Sequence, residues 1–269
     1  MSALALHDTP SAEPVTPETP ILSARDVGLV YDGEFTALNG VSLDIEQGKL
    51  TSLLGPSGCG KTTLLKIIAG LLEPTSGEVR VRGVPVAGPG PDRALVFQDF
   101  ALLPWATVLS NVAFGLRVRG VPKRQREEIA RKYIAEVGLA GFEARHPHEL
   151  SGGMRQRAGL ARALAVQSDI LLMDEPFSAV DEQMRRKLQE DLLNLLKVEK
   201  KTVIFVTHSI EEAVYLSDQV IILSQRPGTV AKIVRPDIDR TGDVDAIRRT
   251  PHYVELVDEI WAGLRQYVE

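Results

Sequence analysis

The sequence from residue 49 to residue 63 reads Lys49-Leu50-Thr51-Ser52-Leu53-Leu54-Gly55-Pro56-Ser57-Gly58-Cys59-Gly60-Lys61-Thr62-Thr63, and it decides the fold. Residues 49–54 predict a strand, and the apolar residues of 64–68 recur at helical spacing. A glycine-rich turn between strand and helix points successive amides at phosphate oxygens, and the helix N-terminus adds partial positive charge. The Gly-Lys-Thr ending distinguishes a phosphate-binding loop (P-loop) from a plain glycine-rich turn. We therefore predict that Lys61 bridges the β- and γ-phosphates of a nucleotide and that Thr62 gives a hydroxyl to Mg²⁺. The predicted nucleotide-binding residues here are Gly55, Pro56, Ser57, Gly58, Cys59, Gly60, Lys61, Thr62 and Thr63.

Two carboxylates follow a short apolar run later in the chain. Residues 170–173 predict a buried strand, and Asp174 and Glu175 come directly after it. Ligands bind at the carboxyl ends of such strands. We expect Asp174 to complete the Mg²⁺ shell and Glu175 to polarise the water that attacks a phosphoryl group. An acidic pair after a strand also fits a solvated loop, and the P-loop favours the catalytic interpretation.

Composition limits the possible functions. The chain has 269 residues, 44% of them hydrophobic and 25% charged, which is enough to bury a core. A formal net charge of −5 argues against a nucleic-acid-binding protein, which would usually carry a basic excess. Cys59 is the single cysteine, so the sequence predicts no internal disulfide and favours a reducing compartment.

The chain offers neither a signal peptide nor a membrane span by sequence. Residues 1–20 contain four prolines and predict a disordered tail. The richest apolar stretch, Leu64–Leu72, is interrupted by Lys66 and Gly70, and it is shorter than the ~18 residues expected of a spanning helix. A role at a membrane would therefore need a partner.

The pattern along the chain predicts an α/β fold. Val41, Leu43 and Ile45 alternate with polar residues, as half-buried antiparallel strands do. Denser apolar runs at 203–206 and 220–223 predict buried parallel strands, with helical periodicity between the runs.

The stretch Leu150-Ser151-Gly152-Gly153-Met154-Arg155-Gln156-Arg157 begins another helix. A Ser-Gly-Gly start alone is a good helix cap. Its position between a P-loop and an Asp-Glu strand end resembles the signature of ATP-binding-cassette (ABC) ATPases. Further landmarks match in family order, and they are Tyr31, Gln98, Ser178-Ala179-Val180-Asp181 and His208.

This resemblance implies a P-loop NTPase (RecA-like) core, an antiparallel β subdomain and an inserted α-helical subdomain, binding ATP and Mg²⁺. It implies an ATPase domain over residues 21–240, a helical subdomain at about 100–165 and a C-terminal helical extension over 241–269. Tyr31 would stack on adenine, Gln98 would contribute to the metal site and to coupling, and His208 would hold the γ-phosphate and the attacking water. Taken singly, these three residues fit a strand aromatic, a turn amide and a polar strand end.

The family geometry is a two-fold dimer closed by ATP. By resemblance, Ser151, Gly152 and Gly153 of a second copy would cover the nucleotide, and Asp181 would lie at the dimer contact. Hydrolysis would reopen the dimer and move a partner.

The segment Leu102-Leu103-Pro104-Trp105 narrows the resemblance to ATPases of the nitrate, sulfonate and taurine uptake group. It follows Gln98, where the family docks its transmembrane permease. Its apolar residues could instead pack inward against the helical subdomain. The resemblance implies an importer working at the cytoplasmic face of the inner membrane with a solute-binding protein.

Three other functions compete with this one. They are a cassette ATPase that remodels nucleic acid or ribosomes, a nucleotide-gated module with little turnover, and an exporter subunit. The acidic charge opposes the first, Glu175 and His208 oppose the second, and the lack of membrane spans opposes the third. Cys59 could be a reactive thiol, but a small buried residue in the loop is the favoured interpretation.

Overall fold

The computed structural model describes residues 20–178 and 182–265, which form two β-sheets flanked by helices. The strands are β1 (Leu22–Tyr31), β2 (Phe35–Ile45), β3 (Leu50–Leu54), β4 (Ser76–Val81), β5 (Val84–Pro85), β6 (Arg93–Val96), β7 (Ile170–Asp174), β8 (Thr202–Val206), β9 (Gln219–Leu223) and β10 (Val230–Val234). The α-helices are α1 (Lys61–Ile68), α2 (Val108–Val112), α3 (Phe114–Val118), α4 (Lys123–Glu136), α5 (Gly152–Ala165), α6 (Glu182–Glu199), α7 (Ile210–Leu216), α8 (Val244–Arg248) and α9 (Pro251–Arg265). The predicted tail, apart from Pro20, lies outside the described residues.

The smaller sheet is antiparallel, with strand order β2-β1-β4-β5. Val41, Leu43 and Ile45 of β2 are buried, and the residues between them are exposed. This is the alternation expected of a strand with one face on the core, and it confirms the prediction for this segment.

The larger sheet has the order β10-β9-β3-β8-β7-β6. Its strands from β9 to β6 are parallel, and β10 joins β9 antiparallel. The three apolar runs predicted as buried parallel strands are β7, β8 and β9. Their residues are buried on both faces, apart from Asp174 at the end of β7, because helices or the smaller sheet cover each side.

The parallel strands contribute side chains to two separate hydrophobic cores, because successive side chains of a strand point to opposite faces of the sheet. On one face they pack with the helices between β6 and β7, and on the other with α1 and the antiparallel sheet. The first core includes Leu171, Met173, Val203 and Phe205, and the second includes Ile170, Leu172, Ile204 and Val206.

Helices α2 to α5 lie in sequence between β6 and β7 and form a helical subdomain. Ala130, Tyr133 and Ile134 of α4 are each at most 1% exposed and anchor it to the first core. The predicted helical periodicity of Ile129, Tyr133 and Val137 corresponds to α4 and its C-cap.

The C-terminal extension packs on the same core. Tyr253, Leu256, Ile260 and Leu264 of α9 recur at helical spacing and are buried. The predicted end of this helix near Tyr267 lies outside the described residues. No helix within the described ranges is both long and apolar enough to cross a membrane.

Candidate active site

Four parallel strands end side by side at one edge of the larger sheet. Leu53 of β3 is paired with Val206 of β8, and Val206 is paired in turn with Asp174 of β7. The segments after these strands therefore begin at the same level, where α/β sheets bind their ligands. The predicted site residues that follow them are Gly55 after β3, Gln98 after β6, Glu175 after β7 and His208 after β8.

The P-loop reaches α1 through main-chain conformations that favour glycine. Gly58 and Gly60 have φ angles of 75° and 101°. A Cβ at Gly60 would lie 2.6 Å from Leu38 Cδ2, so β2 also leaves no room for a side chain. Gly60 is the N-cap of α1, and none of the described side chains caps this end. The first N–H groups of α1 are thus available to an anion, which the helix dipole also favours.

Lys61 lies against the loop that precedes it. Its side chain is buried, and Nζ donates to the carbonyl oxygens of Gly55 at 2.7 Å and Pro56 at 2.9 Å. A phosphate in the loop would therefore meet a positive charge that is already in place. Burial raises the pKa of the neighbouring Cys59 thiol, and the charge of Lys61 opposes this shift.

Thr62 and Asp174 meet between α1 and β7. Thr62 Oγ1 donates to Asp174 Oδ1 at 2.9 Å. Burial raises the pKa of Asp174, the Thr62 hydrogen bond lowers it, and the Glu175 carboxylate raises it further. A hydroxyl and a carboxylate are hard oxygen donors of the kind Mg²⁺ binds, with water and phosphate completing its shell. In the described part of the chain, no cluster of three or more His, Cys, Asp or Glu side chains has a geometry that could hold a metal ion.

Glu175 and His208 face each other across neighbouring strand ends. His208 Nδ1 lies 3.4 Å from Glu175 Oε2. Glu175 has a φ of 44°, its N–H donates to Val206 O, and its carbonyl accepts from Ser178 Oγ. These bonds hold a conformation that is uncommon outside glycine and turn the chain directly after β7. A carboxylate with an imidazole beside it can orient a water and accept its proton.

Tyr31 stands beside the end of the P-loop. Its hydroxyl lies 3.3 Å from Thr63 Oγ1, and its ring is partly exposed. Two further residues join it that the sequence did not single out. The Phe35 ring centroid lies 6.1 Å from that of Tyr31, and the Arg226 guanidinium lies 4.1 Å from the Phe35 centroid. Phe35 could have been suspected as a second aromatic near Tyr31, whereas no local pattern marks Arg226.

The predicted signature residues lie at the start of α5. Ser151 Oγ caps this helix by accepting from the Met154 N–H at 3.3 Å. Ser151 is exposed, and Gly152 and Gly153 are half-buried. Among residues 20–178 and 182–265, no hydrogen bond joins these three residues to the P-loop.

Gln98 does not join Thr62 and Asp174, the two predicted metal ligands, through any hydrogen bond of the described residues. Gln98 is exposed. Asp181 lies outside the described residues.

The segment from Leu102 to Trp105 is divided between core and solvent. Leu102 packs against the first core, whereas Trp105 is 75% exposed. The alternative of inward packing is therefore correct for Leu102, whereas Trp105 has the exposed position expected of a contact surface. The segment adjoins a groove of about 610 Å³ whose lining includes Phe97, Leu103 and Phe114.

A buried asparagine holds this segment in shape. Asn111 is 1% exposed, and its Oδ1 accepts from the Leu103 N–H at 2.7 Å. Its Nδ2 lies 3.0–3.2 Å from the carbonyl oxygens of Leu103, Ala106 and Thr107. The loop that presents Trp105 is thus tied to α2, and the sequence did not reveal this role.

A parallel sheet with a P-loop after one strand and acidic residues after another strand at the same edge defines the class of P-loop nucleotide hydrolases. The antiparallel sheet and the helical subdomain restrict the class further.

Known proteins carry the same architecture. The family model described as ABC transporter matches residues 38–178. An uncharacterised ABC transporter ATP-binding protein of Methanocaldococcus jannaschii is 54% identical over 233 residues, covering 85% of this chain and 87% of the relative. The taurine import ATP-binding protein TauB of Chromobacterium violaceum is 49% identical over 248 residues, covering 90% of this chain and 95% of the relative. A dimeric post-hydrolysis structure of an ATP-binding cassette bound to ADP and Pi matches with a TM-score of 0.72 and 32% identity, covering 80% of this chain and 98% of that one.

The chain belongs to the ABC transporter family, as an ATP-binding subunit that hydrolyses ATP. The predicted family and fold class are confirmed.

Proposed function

We propose that this chain powers an ABC importer of taurine, a sulfonate, nitrate or a related small anion. Its high identity to a taurine import ATP-binding protein supports the substrate class. The observation that carries the catalytic part is the arrangement of two pairs beside the P-loop. These pairs are Thr62 with Asp174, at 2.9 Å, and Glu175 with His208, at 3.4 Å.

Thr62 and Asp174 hold Mg²⁺ in this proposal, and Gln98 joins them when the site is complete. The donor set fits the ion, because both oxygens already lie within hydrogen-bond distance of each other. When bound, Mg²⁺ neutralises charge that develops on the phosphate oxygens. Lys61 and the first N–H groups of α1 bind those phosphates, while the partly exposed ring of Tyr31 stacks on the adenine.

Glu175 orients the attacking water and takes up its proton. His208 holds the water and the γ-phosphate from the other side of the site. The two side chains are close enough for one water to contact both. Phosphoryl transfer needs little beyond this positioning and electrostatic stabilisation.

Two copies of the chain close on two ATP molecules. Ser151, Gly152 and Gly153 of one copy cover the nucleotide bound to the P-loop of the other, with Asp181 near the contact. The exposed position of Ser151, without a hydrogen bond to its own P-loop among the described residues, supports this division. A two-fold dimer makes both sites alike.

The other partners are transmembrane permease subunits and a solute-binding protein outside the membrane. The chain itself works at the cytoplasmic face of the inner membrane. The permease docks near Leu102–Trp105, where Trp105 exposes three quarters of its surface and Leu103 lines the groove. An exposed aromatic next to an apolar groove is typical of a contact surface.

The test is Glu175→Gln, with Glu255→Gln as the matched control, because Glu255 is exposed on α9. Size-exclusion chromatography with ATP and Mg²⁺ should show a stable dimer for the first variant alone. Phosphate release should fall by about a hundredfold or more in E175Q and stay at the wild-type rate in E255Q. An ATP-bound E175Q chain that stays monomeric would refute the closed dimer. Undiminished phosphate release by E175Q would refute the role of Glu175.

Copurification from the native membrane tests the importer assignment. The bound chains should include a permease and a solute-binding protein, and the latter should bind taurine, a sulfonate or nitrate in calorimetry. Partners limited to RNA or ribosomal proteins would refute this part of the proposal.

A further inference from the structure

A line of polar side chains, which begins at half-buried Arg248 and continues through three buried residues, connects the C-terminal extension to the residue before His208. Arg248 of α8 donates from Nη2 to Gln189 Oε1 at 3.1 Å. Gln189 of α6 donates from Nε2 to Glu212 Oε1 at 3.1 Å, and Thr207 Oγ1 donates to Glu212 Oε2 at 2.6 Å. We call these four residues the Arg248 hydrogen-bond chain.

Burial constrains the hydrogen-bond geometry of the Arg248 hydrogen-bond chain. Gln189, Thr207 and Glu212 are 1%, 2% and 8% exposed. Hydrogen bonds are stronger and more directional in such surroundings, and a polar group left without a partner there is costly. Each member therefore depends on its neighbour for its orientation.

Arg248 and Glu212 together fix which way the Gln189 amide points. A guanidinium has only donors, so Gln189 must turn its oxygen toward Arg248 and its nitrogen toward Glu212. Both Glu212 oxygens then accept a hydrogen bond, and Arg185 Nε lies 3.9 Å from one of them. Without the guanidinium, Gln189 Oε1 loses this donor, and the amide is held from the Glu212 side with less constraint on its position.

Thr207 links the position of the Glu212 carboxylate to the main chain around His208. Its hydroxyl donates to Glu212 and accepts from the Ser209 N–H at 3.0 Å, so it fixes the backbone on both sides of His208. The Thr207 N–H also donates to Leu53 O at the end of β3. A change at Glu212 would therefore shift the direction in which the imidazole projects.

The C-terminal extension is firmly placed for this role. Tyr253 of α9 donates its hydroxyl to Glu211 O at 3.1 Å, and Arg186 of α6 is paired with Asp245 of α8 at 2.8 Å. The guanidinium of Arg248 also lies 5.3 Å from the centroid of the Tyr215 ring.

We propose that Arg248 is a positioning residue for ATP hydrolysis, acting through Gln189, Glu212 and Thr207 on the orientation of His208. The C-terminal extension would then contribute directly to turnover. This inference rests on the proposed role of His208 in hydrolysis.

The test compares Arg248→Met with Arg249→Met in the full-length chain. Methionine keeps an apolar stem near Tyr215 but cannot donate to Gln189, and Arg249 is the exposed neighbour in the sequence. We expect R248M to lower kcat roughly 3- to 30-fold with KM changed less than about 2-fold, and R249M to match the wild type. Arg248→Lys should recover part of the rate, since lysine still donates one hydrogen bond. An unchanged kcat in R248M, with urea midpoints equal in both variants, would overturn the inference.

Two further measurements separate positioning from a general loss of structure. The side-chain ¹⁵N resonances of His208, assigned with His208→Gln, should move in R248M and stay in place in R249M. Unmoved resonances in a slow R248M variant would show that Arg248 does not act through His208. If His208→Ala hydrolyses ATP at the wild-type rate, the proposed role of His208 fails. If His208→Ala is slow while R248M is normal, only the inference about Arg248 fails.

Discussion

Replacing Asn111 by aspartate should unfasten the loop that presents Trp105. The side chain of Asn111 is 1% exposed, and its amide nitrogen faces three main-chain carbonyls at 3.0–3.2 Å. Asn111→Asp keeps the shape but removes both N–H donors and sets an oxygen against those carbonyls. The bond from the Leu103 N–H to Oδ1 can remain, because a carboxylate oxygen still accepts.

The expected cost follows from counting the groups left without a partner. Two donated hydrogen bonds are lost in a buried place, and each unsatisfied polar group costs about 1–3 kcal/mol, so the free energy of unfolding should fall by about 2–6 kcal/mol. Burial should also raise the pKa of the introduced carboxyl. A neutral carboxyl regains one O–H donor, so the loss should be smallest below about pH 4, the ordinary pKa of aspartic acid, and should grow as pH rises through the higher folded-state value.

Urea unfolding followed by circular dichroism measures this loss, and tryptophan emission in a Trp261→Phe background reports the surroundings of Trp105. Asn194→Asp is the control, because Asn194 is exposed on α6 and gains the same charge, with an expected change within about 0.5 kcal/mol. Equal stability of the N111D and N194D variants at pH 7 would refute the claim that Asn111 fastens the loop. A loss that did not shrink at low pH would refute the explanation based on the introduced charge.

Three other perturbations test the site and its support. Gly60→Ala should weaken ATP binding at least tenfold in calorimetry, because its Cβ would lie 2.6 Å from Leu38 Cδ2 and the residue has a φ of 101°; wild-type affinity would count against a fixed loop. Cys59 should react with N-ethylmaleimide far more slowly than an unfolded control at pH 7–8, because burial and a raised pKa leave little thiolate. The reaction rate should rise with pH only above the ordinary pKa of a thiol, and fast labelling of the folded chain would contradict this prediction. Tyr253→Phe should lower the free energy of unfolding by about 1 kcal/mol, since its hydroxyl donates to Glu211 O, and an unchanged urea midpoint would show that this bond adds nothing.

The grouping of the candidate site residues at one edge of the sheet could be predicted from sequence because its parts are local. The P-loop needs only a strand, a glycine-rich turn and a helix that are consecutive in the chain. Asp174 and Glu175 end a second strand, and parallel strands bring their carboxyl ends to one edge whatever lies between them. The contact between Thr62 and Asp174 therefore follows from two short patterns and one rule about sheets.

The contacts that support this edge had no such local signal. Arg248 reaches Gln189 only because α8 packs beside α6, and Arg226 reaches Phe35 only through the loop between β9 and β10. Asn111 looks like an ordinary polar helix residue until the loop folds around it. Such contacts depend on tertiary packing between segments far apart in sequence, which no periodicity encodes.

The exposure of Glu175 and His208, the proposed catalytic pair, gives a physical reason for closure by a second copy. The side chain of His208 is 62% exposed and that of Glu175 is 24% exposed in the single chain. Water competes there for every hydrogen bond that would orient the attacking molecule, and it weakens the electrostatic interactions. A surface laid over the P-loop would remove this water and strengthen both effects without moving either residue. In the proposed dimer, the Arg248 hydrogen-bond chain fixes the backbone around His208, and closure would supply the exclusion of solvent and the covering residues Ser151–Gly153. Binding of ATP between the copies can then act as the switch for hydrolysis.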